Sequence, residues 1–579
     1  MSKLNPFSKS NRKESEDDVG EKIDHTTVAG GGRGSRESEI TKHQLRVSHP
    51  MKSFLVDQGV LSKEDAGLDN SDQITESLQT LLSKPHINVP SDLTDRSHSL
   101  AEYFISSSHN TYLLAHQLYG TSSADAYRTA LNTGSRCVEI DAWDNEDDKD
   151  EPKVTHGYTL VSHVPFRAVC ETIRDVVDEE AAHSEKHPEF RPAPIMLSLE
   201  NHCDAHGQQR LVEIMKEVWG ERLLSKAVTQ KGHGEQQGTG EKVQLDELGS
   251  KIVVIVEYHF PNEVAATDEE DSSPEDEDED QEQEEARKAY REKKKTASTT
   301  IIVPELAELG VYAQSVKPRD NSWFSETGLL DAPHNHLVNI SESGLRSHMP
   351  AESARVARHN AQHLMRVYPK GTRISSRNLK PVPFWGTGAQ ICALNWQTFG
   401  ASMQLNEALF SGTDGYVLKP SALRAGGDGQ LNTGKKKKLI LHVAGASDIP
   451  VPVGREADDI KPYLTCTLYH PDIEEDNVPK RKTSPYKHHK LKLLHGGENT
   501  PATDPVWDEK LEWEYDDNEL VFLRMLIKSD DSYARNPVIV VGAVRVLYLS
   551  AGWSFIRMLD LKGRETRCTL LVKFEVVDV

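Results

Sequence analysis

Arg136-Cys137-Val138-Glu139-Ile140-Asp141-Ala142-Trp143-Asp144 contains a strand in which Glu139 and Asp141 lie two residues apart. Side chains two apart on a strand share a face, so both carboxylates project the same way. Similar short apolar stretches stand on either side: Tyr103-Phe104-Ile105, Ile195-Met196-Leu197-Ser198-Leu199-Glu200 and Ile252-Val253-Val254-Ile255-Val256. Helical spacing separates them near Asp125 to Leu131, Phe166 to Asp178 and Gln208 to Val218. Strands and helices alternating at such intervals predict a parallel α/β sheet or barrel.

An acidic run, Asp268 to Glu285, and a basic tail, Arg287 to Lys295, interrupt this texture. It resumes at Ile302 and continues to about Leu423, so one fold carrying an insert is the simplest account. From Leu439 the pattern changes to short alternating strands: Leu439 to Val443, Tyr463 to Tyr469, Lys510 to Tyr515, Val521 to Ile527, Val538 to Val541 and Thr569 to Phe574. Turns rich in Gly, Pro, Asn and Asp lie between them, and the segment reads as an antiparallel sandwich. At the other end, residues 1–45 hold few large apolar residues and are expected to be disordered. Residues 46–97 read as two short helices packed onto the barrel segment after them, with an EF-hand remnant as one reading, although no complete calcium-binding loop is present. The expected divisions are therefore 1–45, 46–97, 98–260, 261–300 (the linker, disordered), 301–424 and 425–579.

The 579 residues allow three or four domains at ~150 residues each. No stretch approaches the ~18 apolar residues of a membrane span, so any membrane contact is expected to be peripheral. Neither a signal core nor a lipidation motif is read at the ends, which gives a cytoplasmic address. The six cysteines have no paired metal spacing and suit free thiols. A net charge of −23 argues against nucleic acid as a partner, although Lys435-Lys436-Lys437-Lys438 and Lys480-Arg481-Lys482 form local basic patches.

Polar residues cluster at the predicted strand ends. His109-Asn110 follows the first strand, Glu139 and Asp141 lie in the second, and His156-Gly157 and Glu200-Asn201-His202 complete the set. In a parallel barrel such ends converge on one mouth. An amide oxygen and three carboxylates suit Ca²⁺ or Mg²⁺, and two histidines add acid–base capacity near neutral pH. Metal-assisted phosphoryl chemistry is the expectation.

The words Y-F-I-S-S-S-H-N-T-Y-L-L (103–114), R-C-V-E-I-D-A-W-D (136–144), H-G-Y-T-L (156–160) and L-S-L-E-N-H-C (197–203) resemble the X block of eukaryotic phosphoinositide phospholipases C. N-I-S-E-S (339–343), R-V-Y-P-K-G-T-R (366–373), Q-I-C-A-L-N-W-Q-T (390–398) and G-Y-V-L-K-P (415–420) resemble its Y block. The resemblance implies a TIM-like barrel split into X and Y halves, followed by a C2 sandwich. It implies that Asn110, Glu139, Asp141 and Glu200 bind Ca²⁺ and that His109 and His156 are catalytic. It also implies a reaction in which the inositol 2-hydroxyl attacks its own 1-phosphate, with Glu139 or Glu200 as base. His109 would then stabilise the five-coordinate phosphorus and His156 would protonate the departing diacylglycerol. A monomer acting on a phosphoinositide membrane surface is expected; the sequence does not name its activator.

Headgroup recognition departs from the family. Ser341 and Arg366 match residues that bind the ring phosphates, and Tyr368 matches one that stacks on the inositol ring. Ile255 and Glu257, however, stand where many relatives have phosphate-binding lysines, which weakens the expected grip on the 4- and 5-phosphates. Leu118, Tyr158 and Leu160 match an apolar membrane ridge, with Thr372 in place of a frequent tryptophan. In the sandwich, Lys461 and Ser529-Asp530-Asp531 replace expected Ca²⁺ ligands, which favours a packing and lipid-surface module over a calcium sensor. The acidic insert matches the family's autoinhibitory linker. A catalytically silent phosphoinositide-binding scaffold and a C2-type membrane adaptor are the competing readings.

Overall fold

The computed structural model describes residues 44–69, 74–114, 121–157, 162–228, 242–260, 301–318, 320–325, 329, 331–370, 377–472, 477–488, 500–530 and 538–579. The tail up to residue 43, the acidic insert and the ridge positions Leu118, Tyr158, Leu160 and Thr372 lie outside these residues.

Helices α1 (His49–Asp57) and α2 (Glu76–Ser83) come first. The first half of the barrel continues from them with β1 (Tyr103–Ile105), α3 (Asp125–Asn132), β2 (Cys137–Trp143), β3 (Lys153–Val154), β4 (Val164–Pro165), α4 (Phe166–Lys186), β5 (Ile195–His202), α5 (Ala205–Trp219) and β6 (Ile252–Glu257). Beyond the insert come α6 (Pro304–Ala307), β7 (Gln314–Val316), β8 (His336–Ser341), α7 (Glu342–Arg346), α8 (Ser353–Asn360), β9 (Leu364–Tyr368), α9 (Pro381–Gly386), β10 (Ile391–Cys392), α10 (Ala401–Phe410) and β11 (Tyr416–Leu418).

Neighbouring strands run parallel in the order β1, β10, β9, β8, β7, β6, β5, β2. The ring closes where Ser107, just past β1, pairs in parallel with Cys137. This is the expected barrel. β6 and β7 are bonded neighbours, Val256 opposite Gln314, so the two blocks of sequence meet directly across the insert.

Strand alternation builds two layers of core. Val138, Ile140, Leu197, Leu199, Val254 and Val256 face outward onto α4 and α5, where they meet Ile173, Leu211 and Met215. Cys137, Met196, Val253, Ile255, Leu337, Leu364 and Ile391 fill the interior. The period of two carries each inward file on towards the C-terminal strand ends: Cys137 to Glu139 and Asp141, Met196 to Ser198 and Glu200, Leu364 to Arg366 and Tyr368. The same alternation that packs the interior thus delivers polar side chains to the mouth.

The sandwich consists of β12 (Lys436–Ser447), β13 (Pro462–Tyr469), β14 (Lys480–Lys482), β15 (Val506–Asp516), β16 (Phe522–Ser529), β17 (Val538–Arg545), β18 (Gly552–Leu559) and β19 (Glu565–Asp578). Its neighbours are all antiparallel, and β17 and β18 join through a single pair, Val541 opposite Leu559, where one layer passes into the other. The architecture matches the expected C2-type sandwich. Two of its strands were not expected from the sequence. β14 is Lys480-Arg481-Lys482, an exposed edge strand without apolar alternation, where charge itself blocks pairing with another chain. β18 interleaves Arg557 and Ser554 among apolar residues and has no clean period.

Barrel and sandwich share one apolar cluster, in which Trp385 lies against Phe522 with ring centroids 5.6 Å apart. Arg524 donates to Gln404 at 2.7 Å and the Tyr548 hydroxyl donates to the Leu409 carbonyl at 2.9 Å. The N-terminal helices pack on the sandwich, not on the barrel next to them in sequence. Met51, Leu55 and Leu78 are fully buried beside Ala444, Trp553, Phe555 and Leu571. Burial at such positions contributes about 1.5–3 kcal/mol per large side chain. The approach is close enough to require Gly445, because a Cβ there would lie 2.6 Å from the Met51 methyl.

Candidate active site

Glu139, Asp141 and Glu200 place carboxylate oxygens within 4.8 Å of one another at the C-terminal mouth of the barrel. β2 supplies the first two and β5 the third, and Asp141 stands opposite Glu200 in the parallel register. Asn110 joins them through its backbone: its N–H donates to Glu139 Oε2 at 2.6 Å. To make that bond, Asn110 sits at φ 45°, a left-handed conformation that asparagine tolerates better than most residues. The Tyr112 hydroxyl lies 2.6 Å from Asp141 Oδ2 and 3.1 Å from Asn110 Oδ1, which ties the amide and the carboxylate together.

Arg366, inward-facing on β9, is 1% exposed and forms an ion pair with Glu139; it also lies 3.8 Å from Glu200. Its other bond is to Asn339 Oδ1 at 3.2 Å. Tyr368 lies under the guanidinium, 5.9 Å from its carbon to the ring centroid. Ser341 spends its hydroxyl on capping α7, accepting from the Gly344 N–H at 3.0 Å. Of the three residues expected to grip the headgroup, Arg366 is therefore engaged with the carboxylates themselves.

Burial and the neighbouring Glu200 and Glu139 push the Asp141 carboxyl well above the usual range. Burial and Glu139 raise Glu200 as well. Asp141 Oδ1 is buried and has no hydrogen-bond partner. A buried carboxylate oxygen without a hydrogen-bond partner, among crowded acids, fits a hard cation, and oxygen donors of this kind suit Ca²⁺.

His109 is oriented by a partner that no sequence motif singles out. Its Nδ1 lies 2.8 Å from Asn395 Oδ1, and Asn395 Nδ2 donates to the Arg377 carbonyl at 3.0 Å. The amide is thereby fixed with its oxygen towards the ring, so Nδ1 carries the proton and Nε2 faces Glu139 Oε2, 4.0 Å away. Burial, aided by Arg366, lowers the His109 pKa to about 4. Asn395 and Tyr112 both fall inside the words that carry the family resemblance, but nothing in their residue type announced a positioning role.

His156 comes after β3, where the Thr155 N–H donates to the Asp141 carbonyl at 3.3 Å. The next residue, Gly157, passes so close to Trp143 that any Cβ would fall inside the indole ring. Trp143 in turn stacks on His202 at 4.1 Å. His156 is thus held to the same mouth by its backbone. Ile255 is 1% exposed within the barrel, and Glu257 ends β6 at the mouth.

The family models for the phosphatidylinositol-specific phospholipase C X domain and Y domain match residues 96–258 and 306–422. The chain belongs to the phosphatidylinositol-specific phospholipases C. Among its relatives in that family are a 1-phosphatidylinositol 4,5-bisphosphate phosphodiesterase of Dictyostelium discoideum, 30% identical, and the delta-3 form of Mus musculus, 33% identical. Those alignments cover 84% and 81% of the chain but 60% and 55% of the relatives, so the chain spans somewhat over half their length. The crystal structure of L. pealei PLC21 superposes with a TM-score of 0.67 at 24% identity, covering 95% of the chain and 65% of that structure. This likeness supports the phospholipase C fold across barrel and sandwich together.

Proposed function

We propose that the chain is a Ca²⁺-dependent phosphodiesterase that cleaves phosphatidylinositol 4,5-bisphosphate or less phosphorylated phosphoinositides into diacylglycerol and inositol phosphates, through a cyclic phosphodiester, in lipid signalling. The observation that carries this reading is the convergence of Glu139, Asp141 and Glu200 beside His109 at one barrel mouth. Asn110, Glu139, Asp141 and Glu200 would hold Ca²⁺. When bound, the ion supplies positive charge against the phosphate oxygens and the attacking hydroxyl.

In this mechanism the inositol 2-hydroxyl attacks the phosphorus of its own 1-phosphate and gives its proton to a carboxylate. Glu139 is held by the Arg366 ion pair and the Asn110 N–H, whereas Arg366 stands 3.8 Å from Glu200 and the Glu200 carboxyl has a raised proton affinity, so Glu200 is the better base of the two. The bond from phosphorus to the diacylglycerol oxygen breaks, and His156 donates a proton to that oxygen. His156 then accepts a proton from the water that opens the cyclic phosphate. His109 acts through Nε2, because Nδ1 is committed to Asn395. Only the imidazolium can donate from Nε2, and the negative charge of the substrate phosphate favours that form.

The enzyme is expected to act as a peripheral protein on the cytoplasmic side of membranes; among the described residues no helix is long and apolar enough to cross one. The test is release of soluble inositol phosphate from labelled phosphoinositide vesicles. Wild type should be active with Ca²⁺ and silent with chelator, and Asp141→Asn should lose turnover while keeping its thermal midpoint. Full activity in chelator, or in a folded Asp141→Asn protein, would remove the proposal.

A further inference from the structure

A groove of about 1110 Å³ opens between the loop joining β11 to β12 and one end of the sandwich. Its apolar floor follows from strand alternation. The inward file of β19 runs Leu570, Val572, Phe574, Val576, and the first three are buried in the sandwich core. Past Phe574 the file loses its cover, and Val576 is 43% exposed. β18 begins at Gly552 opposite Phe574, so over residues 575–578 one edge of β19 also has no strand neighbour among the described residues. Across the groove Leu547, between β17 and β18, is 40% exposed. Two large apolar side chains left open to water on one groove ask for a covering segment.

Charge and reach identify the segment. The charged residues on the groove are Asp428, Asp517, Glu519 and Lys437, and Lys437 pairs with Asp517 at 2.9 Å, which leaves two carboxylates over. An apolar segment with positive charge is the complement. Lys3-Leu4-Asn5-Pro6-Phe7-Ser8-Lys9-Ser10-Asn11-Arg12-Lys13 carries four cations and no anion, with Leu4 and Phe7 three residues apart. The described chain begins at Gln44, close to Ser48, whose N–H donates to Ser447 Oγ at 3.0 Å. Ser447 ends β12, and Lys437 on the groove lies ten residues back along that strand, ~33 Å away. A coil of 30 residues, the number between Lys13 and Gln44, has an r.m.s. span of ~27–33 Å. The tether therefore matches the distance without being stretched.

We propose that residues 3–13 of this chain dock in the groove, with Leu4 and Phe7 on Val576 and Leu547 and the basic side chains towards Asp428 and Glu519. The docked segment touches both walls, so it holds the β11–β12 loop against the sandwich and braces the joint between the two domains. Because the segment is tethered, docking needs little intrinsic affinity. It also keeps a basic, apolar stretch off anionic surfaces until the segment leaves.

The experiment uses the full chain with a photoreactive benzophenone side chain in place of Phe7. Irradiation of dilute protein should give a product of monomer mass whose cross-links map to residues 425–433, 546–551 or 574–577. Val576→Glu and Leu547→Glu each put a charge beneath the docked ring and should lower that yield about tenfold. Hydroxyl-radical labelling gives a second reading that does not depend on altering the groove: Leu547 and Val576 should be labelled several-fold faster in Phe7→Glu than in wild type. A product of dimer mass would make a second copy the occupant, and cross-links elsewhere would seat the segment elsewhere. Equal labelling rates would leave the groove to water. Any of these three results would overturn the proposal.

Discussion

Arg366 and Glu139 form an ion pair in which 1% and 2% of the respective side chains are exposed. Burial works against the arginine's charge, and the carboxylates Glu139 and Glu200 outweigh it, so its pKa is raised. The guanidinium thus offsets part of the negative charge of the carboxylate cluster.

Removing that guanidinium leaves buried carboxylates without their partner, a defect that typically costs about 3–5 kcal/mol. Arg366→Met should therefore lower the thermal midpoint markedly in chelator, and Ca²⁺ should raise it by more than it does for wild type. Scanning calorimetry of both proteins with and without Ca²⁺ measures the difference. An equal Ca²⁺ response would mean that the ion pair and the cation site are independent.

Gly157→Ala should displace His156 without unfolding the barrel, since the added methyl meets the face of Trp143. Turnover should approach that of His156→Ala, about 10²-fold down for lost acid–base help, with vesicle binding preserved. Trp143→Leu should restore part of the activity to the Gly157→Ala protein. Turnover and vesicle sedimentation measured together check this, and a fully active Gly157→Ala enzyme would dissolve the link between Trp143 and His156.

Glu257 and Ile255 differ in what a lysine would meet. Glu257 ends its strand at the mouth, and Glu257→Lys should raise activity on the bisphosphate relative to unphosphorylated phosphatidylinositol. Ile255 is sealed in the interior, where a lysine must be buried, so Ile255→Lys should destabilise the protein before it improves recognition. Rates on the two lipids and thermal midpoints for both variants separate these outcomes; an unchanged lipid preference in Glu257→Lys would place the headgroup elsewhere.

Acid should weaken the fold through buried histidines. Burial alone lowers the His86 pKa to about 4, and burial is the main cause that brings His363 to about 2. The unfolded value is ~6.5. A group whose folded pKa lies below its unfolded one is proton-poor in the native state, so its contribution is whole above pH ~6.5 and is lost as pH falls from there. With ~1.4 kcal/mol for each tenfold change in proton affinity, His86 accounts for about 3 kcal/mol by pH 4. Denaturant midpoints in chelator should fall across that window, and His86→Gln should flatten the slope; an unchanged slope would show that His86 is solvated.

The barrel could be read from the sequence because alternation and chemistry coincide: the file from Cys137 through Glu139 to Asp141 is at once core and candidate ligand set. The carboxylates came out for the same reason, each sitting at a strand end within a recognisable word. Asn395 did not, because its role is to fix a ring 286 residues away, and no local pattern encodes that pairing. The docking of α1 was equally hidden. An amphipathic helix shows that it has a face to bury, but not which surface will cover it.

The seat of the N-terminal helices bears on how the chain matures. Met51 and Leu55 rest on β12, β18 and β19, strands far downstream of them in the sequence. On the ribosome, α1 and α2 emerge before the strands that seat them and have nothing to dock against until β12, β18 and β19 have been made. Their apolar faces must stay exposed while the barrel assembles, so a nascent chain stalled before Gly552 would carry a folded barrel and an uncovered hydrophobic helix pair. Pairing of β19 with β12 and β18 is the step that completes the seat of the two helices.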